Sequence, residues 1–328
     1  ITTFSEELLK LDAATEVARI GEAMRHALAR DLRRRGAIVA ISGGVDSSVV
    51  AALCVQALGP DRVIGLLLPE RESSQATRDL GLAVVEHLGI QSIEQDITPI
   101  LEAAGCYESR DEAIRRVIPD YGPQHKCKIV LPELADDDHL RVFSVIVQSP
   151  DGQIREARLP HDAYLAVVAA SNFKQRVRKM LEYYRADRLN YAVVGTPNRL
   201  EYDQGFFVKL GDGAADIKPI AHLYKTQVYQ LAEFLDVPVA VREQPPTTDT
   251  YSMPQTQEEF YFSLPYDKLD LCLYARNHSI SADQVAAAID LRPEQVERVF
   301  RDIDQKRRST RYLHLAPVLV EPVTLAER

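Results

Sequence analysis

Residues 38–48, Ile-Val-Ala-Ile-Ser-Gly-Gly-Val-Asp-Ser-Ser, decide how the rest of the chain is read. Ile38 to Ile41 has the composition of a short buried strand, Ser42 to Ser48 that of a tight turn, and Val49 to Leu58 that of an apolar helix. A glycine-rich turn between a strand and a helix lets backbone N–H groups converge on one point, where the helix N-terminus adds partial positive charge. Gly43 and Gly44 lack a Cβ and let an anion approach the backbone closely. Ser42, Ser47 and Ser48 add hydroxyl donors. Asp46 does not suit a bare anion site, because a carboxylate repels phosphate; it fits if it holds a divalent cation that phosphates also bind. A serine-glycine helix start that binds nothing is the plainer reading of the same residues. The turn is not the phosphate loop of kinases and GTPases, because it lacks that spacing and its lysine.

The 328 residues, 46% of them hydrophobic, suffice for a well-buried core. A formal net charge of −9 counts against a nucleic-acid partner, which needs a basic surface. Cys54, Cys106, Cys127 and Cys272 are scattered without metal-ligand spacing and read as reduced thiols of a cytoplasmic protein. No apolar run approaches the ~18–20 residues of a membrane span, and the first residues show no signal-peptide pattern.

The remaining chain is read in order. Residues 5–35 predict one long amphipathic helix ending near Arg33-Arg34-Arg35-Gly36. Arg62–Leu68 and Ser92–Asp96 predict strands, with a helix over Thr77–Leu88 between them; Thr98 and Pro99 mark the start of another helix, as N-cap and first helical residue. This alternation predicts a doubly wound, mostly parallel Rossmann-like α/β sheet with the ligand loop on its first strand and the switch point beside it. Residues 120–160 break the pattern: Leu140–Val147 and Gln153–Leu159 flank Ser149-Pro150-Asp151-Gly152 and predict an inserted β-hairpin. Asp136-Asp137-Asp138 reads as a solvated turn rather than a metal site. His161–Asp187 predicts a long helix that is basic at Lys174, Arg176, Arg178 and Lys179, Tyr191–Gly195 a strand, and Lys225–Leu235 a helix. Tyr266–Tyr274, Ser281–Ile289 and Pro293–Gln305 predict three C-terminal helices, with Ser281 and Gln284 as a capping box. The whole is read as one domain: a nucleotide-binding core over 36–119 and 161–240, the insert over 120–160, and a substrate-closing loop with C-terminal helices over 241–328.

Ser-Gly-Gly-x-Asp-Ser-Ser after a strand resembles the pyrophosphate loop of the ATP pyrophosphatase superfamily, whose members split ATP between its α and β phosphates. The runs GTPNRLE (195–201), FFVKLGDGAAD (206–216) and KPIAHLYKTQVYQLAEFLDVP (218–238), with NFKQRVRK (172–179) and QKRR (305–308), resemble the ammonia-dependent NAD synthetase family within it. The resemblance covers most of residues 36–310.

It implies an ATP-dependent ligase that adenylates the nicotinate carboxylate of deamido-NAD and transfers ammonia to give NAD, AMP and pyrophosphate. Carried over by residue, it implies that Asp46 and Glu201 hold Mg²⁺, and that Ser42, Gly43, Gly44, Val45, Asp46, Ser47 and Ser48 cradle the pyrophosphate. Thr196, Lys225 and Thr247 then contact ATP, while Arg176, Lys209, Asp216 and Lys306 bind deamido-NAD. It also implies a homodimer with substrate sites at the subunit interface. Asp46 and Lys225 are expected in the chemistry, and Asp212, in the Gly-Asp-Gly loop, is the candidate proton acceptor; an ordinary turn is the other reading of that loop. The basic stretches 174–179 and 305–311 suit a small dianionic dinucleotide better than RNA. No glutaminase-type nucleophile pattern is seen, so free ammonia or a separate ammonia-producing subunit is expected as the nitrogen source.

The chain departs from the family where Pro246-Thr247-Thr248-Asp249-Thr250 and Gln255-Thr256-Gln257-Glu258 replace Pro-Thr-Ala-Asp-Leu and Gln-Thr-Asp-Glu. These changes bear on the second substrate more than on ATP. Amidation of a different carboxylic acid is therefore the main alternative. Further alternatives are tRNA thiolation, disfavoured by the isolated cysteines, and a non-catalytic sensor of nucleotides, disfavoured by the intact Asp46 and Glu201.

Overall fold

Alternate residues of the first strand, β1 (Ala37–Ala40), bury on opposite faces: Ala37 and Val39 pack into one apolar cluster and Ile38 into another. A strand buried on both sides belongs inside a parallel sheet covered by helices. β1 pairs in parallel with β2 (Val63–Leu67) on one side and with β7 (Ala192–Val194) on the other, and β2 pairs in parallel with β3 (Gln91–Glu94). The strand order β3-β2-β1-β7 reverses direction of growth beside β1, so the switch point lies where the sequence places it. The computed structural model describes residues 4–130, 143–246, 251–257, 261–262 and 264–323.

One face of the sheet is covered by α1 (Ala13–His26), α2 (Val45–Leu58), α3 (Gln75–Leu88) and α8 (Lys225–Phe234), through Ile20, Met24, Leu53, Val84 and Leu231. The other face is covered by α4 (Thr98–Ala103), α5 (Cys106–Arg115) and α6 (His161–Leu189), through Leu101, Tyr107, Ala170 and Val177. Two short helices, α7 (Arg199–Gln204) and α9 (Val239–Arg242), follow the last strand and α8. The C-terminal helices α10 (Tyr266–Asn277), α11 (Ala282–Ile289) and α12 (Pro293–Thr310) form their own cluster, which also takes in Phe4, Leu9 and Leu200.

Several sequence expectations change in detail. The N-terminal helix does not run from 5 to 35. Asp12 caps α1 by accepting the Thr15 N–H at 3.1 Å, residues before it form a separate short turn, and the helix loosens into a wide turn at Ala27–Asp31. Thr98 is the first residue of its helix rather than the cap, which is Ile97. Ser281 precedes α11, but its hydroxyl meets Gln284 and no backbone N–H, so the expected capping box is absent there.

The inserted hairpin is present as β5 (Ser144–Gln148) and β6 (Ile154–Arg158). Its turn closes through Gly152 N–H to the Ser149 carbonyl at 2.9 Å, with Gly152 at φ 87°. A third strand, β4 (Lys126–Val130), pairs antiparallel with β5 and turns the hairpin into a three-stranded sheet. Cys127, Ile129, Val145 and Val147 from this sheet pack on Ile114 of α5 and Val167 of α6. Asp136-Asp137-Asp138 lies outside the described residues.

Candidate active site

A cleft opens at the carboxyl ends of β1, β2 and β7, the edge where open parallel sheets take ligands. Its floor is the β1–α2 turn. Gly44 is the cap of α2, so Val45, Asp46 and Ser47 occupy its first turn and the helix N-terminus points into the cleft. Gly43 adopts φ 76°, and a Cβ there would stand 2.5 Å from the Thr77 carbonyl oxygen of α3. Backbone angle and close approach both require glycine at this position. Ser42 and Ser47 hydroxyls lie 3.2 Å apart, and Ser47 also donates to the Gly44 carbonyl at 3.0 Å, which fixes the turn. Ser48 differs from its neighbours: it is fully buried and donates to the Gly44 carbonyl at 2.9 Å instead of lining the cleft.

Asp46 is the electrostatic centre. One carboxylate oxygen, Oδ2, is ion-paired with Lys225 Nζ, and the other, Oδ1, accepts the Asn198 side-chain amide at 3.1 Å. Lys225 is the first residue of α8 and is fully buried. Burial pushes its ammonium down, but Asp46 and then Glu201 outweigh that, leaving its pKa raised and the charge fixed. Glu201 sits on α7, where it forms a capping box with Asn198: its N–H donates to Asn198 Oδ1 and its Oε2 accepts the Asn198 N–H, each at 3.1 Å. Burial first, and the neighbouring Asp46 second, push the Glu201 carboxyl up to about 8, against the pull of Lys225.

Two neighbouring carboxylates beside an anion-binding turn, with Asp46 helping to push Glu201 toward protonation, are a donor set that suits a cation. Magnesium takes one or two protein carboxylates and completes its shell with water and substrate phosphates. Among the described residues, no group of three or more His, Cys, Asp or Glu gathers into a metal site.

Thr196 and Asp212 also line the cleft. Asp212 Oδ1 accepts the Val208 N–H at 2.8 Å, which ties down the Gly-Asp-Gly loop. Burial raises its pKa, with that hydrogen bond and Lys179 opposing. Lys179 and Glu182 of α6 complete this wall as a buried pair 2.7 Å apart.

The four residues expected to bind the dinucleotide do not line this cleft in a single chain. Arg176 donates to the Lys209 carbonyl at 3.2 Å, and Lys209 Nζ donates to the carbonyls of Tyr312 and Leu315 at 2.8 and 2.9 Å. Asp216 is exposed and accepts the Val193 N–H at 2.8 Å. Lys306 is buried on α12, 2.7 Å from Asp302, and donates to the Tyr261 carbonyl. Thr247 lies outside the described residues.

The basic stretch of α6 is also less available than its sequence suggests. Lys174 is 2.8 Å from Glu70 and 2.7 Å from Glu72, and Lys179 is held by Glu182, so two of its four cations are internally neutralised. Sequence reading missed Asn198 as the partner of Asp46. Its signal was present, because Asn198-x-x-Glu201 has capping-box spacing.

A model of the NAD synthase family matches residues 16–117 and 128–312. The chain is 56% identical over 312 residues to an NH3-dependent NAD+ synthetase of Mesorhizobium japonicum, covering 95% of this chain and 98% of that protein. Among solved structures it resembles an NMN synthetase of Francisella tularensis, with TM-score 0.65 at 20% identity over 94% of this chain and 99% of that one. It also resembles an NH3-dependent NAD synthetase of Campylobacter jejuni, with TM-score 0.62 at 20% identity over 95% and 100%. At that identity the two structures speak for the fold alone, whereas the sequence matches span the turn, Asp46, Glu201 and Lys225 together: the chain belongs to the NAD synthase family.

Proposed function

We propose that this protein is an ammonia-dependent NAD synthetase, which adenylates the nicotinate carboxylate of deamido-NAD with ATP and lets ammonia displace AMP. The observation that carries this reading is the meeting of Asp46, Lys225 and the Ser-Gly-Gly turn at the carboxyl edge of the sheet, in a chain of this family.

The turn and the N-terminus of α2 receive the phosphates. Asp46 and Glu201 would hold Mg²⁺, which when bound would supply charge neutralisation on the phosphates. Lys225, kept protonated by the two carboxylates, contributes fixed positive charge as pyrophosphate leaves; one preorganised group of this kind is worth roughly 2.7–4 kcal/mol. In the first step a carboxylate oxygen of deamido-NAD bonds to the α-phosphorus, and the bond to the bridging oxygen breaks with its electron pair on pyrophosphate. In the second, the ammonia nitrogen bonds to the acyl carbon, AMP leaves, and nitrogen gives up a proton. Asp212 is the proposed acceptor of that proton, supported by its position in the cleft wall. Thr196 and Thr247 complete the ATP site.

Arg176, Lys209, Asp216 and Lys306 are proposed to bind deamido-NAD in a homodimer. Arg176 and Lys209 already meet within one chain, through the Arg176 side chain and the Lys209 carbonyl at 3.2 Å, which supports their acting together. Nitrogen comes from free ammonia or from a separate ammonia-producing subunit. No helix among the described residues is long and apolar enough to cross a membrane.

One endpoint assay tests the reading: protein, Mg-ATP, deamido-NAD and an ammonium salt at mildly alkaline pH, with NAD, AMP and pyrophosphate quantified. Equal amounts of all three products are expected. AMP without NAD, from folded protein, keeps the adenylation chemistry, overturns free ammonia with deamido-NAD as the complete substrate pair, and moves the search to other carboxylates or nitrogen donors.

A further inference from the structure

Among the described residues, the three-stranded insert contributes none to the lining of the cleft, yet it is stitched to a segment that does. β4 is, among the described residues, an edge strand that pairs only with β5 inside its sheet, and residues 251–255 run along its other side. Tyr251 is buried in the apolar cluster of the insert with Cys127, Ile129, Val145 and Val147. The Ser252 hydroxyl accepts the Cys127 N–H at 2.9 Å, and the Met253 N–H donates to the Cys127 carbonyl at 3.1 Å. Gln255, only 3% exposed, donates its side-chain amide to the Ile129 carbonyl at 2.7 Å.

Two residues later the segment reaches the cleft. Gln257 lines it beside Pro245 and Pro246, donates its N–H to the Pro246 carbonyl at 3.1 Å, and accepts the Tyr266 hydroxyl at 2.5 Å.

We propose that the insert is a buttress: β4 anchors residues 251–255 and thereby fixes the cleft wall at Gln257, with Gln255 as the positioning residue. This rests on the reading that the cleft binds ATP. Without the anchor, the cost of ordering the wall moves onto each binding event. The loss therefore falls on nucleotide affinity and not on the chemical step. The edge contacts also cover unpaired backbone groups of β4, which an exposed edge strand otherwise presents to other chains.

Two variants test the buttress. Gln255→Met keeps the length and apolar stem and removes the donor; Ser252→Ala removes the acceptor at a half-buried position. Each is expected to weaken binding of a non-hydrolysable ATP analogue about three- to tenfold, the equivalent of one lost hydrogen bond. KM for ATP rises by the same factor with kcat and the thermal midpoint nearly unchanged, and amides of 251–257 exchange faster. Gln153→Ala, at the far turn of the insert, leaves all of these as in the wild type.

Unchanged analogue affinity in both variants overturns the buttress, as does a fall in kcat with affinity intact. Wild-type protein that binds the analogue but makes no NAD defeats the amidation reading alone, and the analogue titration still decides the buttress. Wild-type protein that does not bind the analogue overturns both.

Discussion

Asn198 donates its side-chain amide to Asp46 Oδ1 across 3.1 Å, joining the start of α7 to the first turn of α2. The same residue caps α7: its side-chain oxygen accepts the Glu201 N–H and its backbone N–H donates to the Glu201 carboxylate. One residue thus orients both carboxylates of the cleft, Asp46 through its side chain and Glu201 through its backbone. Partners that orient metal-binding carboxylates typically cost about 10–100-fold in metal affinity or activity when removed. Asn198→Ala is expected to lose that much in kcat/KM for Mg-ATP, with a higher Mg²⁺ requirement. Loss of the cap adds about 1 kcal/mol of destabilisation. Kinetics over a range of Mg²⁺, with a urea melt, check this; normal Mg²⁺ dependence would reduce Asn198 to a helix cap.

Lys225 and Asp46 separate catalysis from binding. Lys225→Met removes a fixed positive charge that matters most as negative charge gathers on the leaving group, so kcat is expected to fall about 10²–10³-fold. Asp46→Asn is expected to abolish turnover while calorimetry still detects nucleotide, since the backbone N–H groups of the turn remain. Full turnover in Asp46→Asn would remove that carboxylate from the chemistry.

Much of this was legible in the sequence because the chemistry lies in contiguous runs. The β1–α2 turn, with Gly43 at a positive φ against α3, could be read from seven neighbouring residues. The parts that were not legible depend on long-range pairing. Asn198 and Asp46 are 152 residues apart, and only the fold brings them together. Lys174 and Lys179 read as part of a basic stretch suited to a dianionic dinucleotide, because the Lys174 partners Glu70 and Glu72 lie on a different strand's loop and the Lys179 partner Glu182 gives no sign of burial by itself. β4 alternates between buried Cys127 and Ile129 and more exposed Lys126 and Lys128, but neighbouring prolines masked this period-two pattern. At the N-terminus the helical spacing of leucines outweighed Asp12, although a cap residue was there to be read.

Asp270 should give the folded state a distinct pH dependence. Its side chain is fully buried on α10, and Oδ2 accepts the Thr226 N–H at 2.7 Å in the first turn of α8. Burial raises its pKa from 3.8 to about 6 despite that hydrogen bond. The native state therefore holds this proton more tightly than the unfolded chain. Its contribution is full below about pH 4 and is lost as pH rises through about 6, amounting to about 3 kcal/mol. Asp270→Asn keeps an acceptor for Thr226 without the charge. Its stability relative to wild type is expected to be greatest at pH 7 and to shrink toward pH 4. Parallel urea-melt curves across that range would show that Asp270 does not carry the slope.

Lys174 ties the loop after β2 to the core, and through it the rim of the cleft. The ammonium is 2% exposed and meets Glu70 at 2.8 Å and Glu72 at 2.7 Å; Arg110 meets Glu72 at 2.7 Å, and the Tyr107 hydroxyl donates to Glu70 at 2.5 Å. Burial pushes the Glu72 carboxyl up, but Lys174 and then Arg110 outweigh it and hold it below its ordinary value. A lowered carboxyl stabilises the fold above the unfolded pKa of 4.5, and that stability is lost as pH falls through the native value. Lys174→Met leaves two buried carboxylates undercompensated and is expected to cost about 3–5 kcal/mol at pH 7. The cost should narrow toward pH 4 as the Glu72 carboxylate, no longer held down by Lys174, takes up a proton. Adding Glu70→Gln removes one of the stranded charges and should restore part of the loss. Pro69 and Ser73 of the same loop line the cleft, so ATP affinity should fall with Lys174→Met and recover partly in the double variant. Urea midpoints at two pH values and an analogue titration measure both effects. A double variant less stable than the single would mean that Glu70 is held by its other partners, and that the lysine is not what makes its burial tolerable.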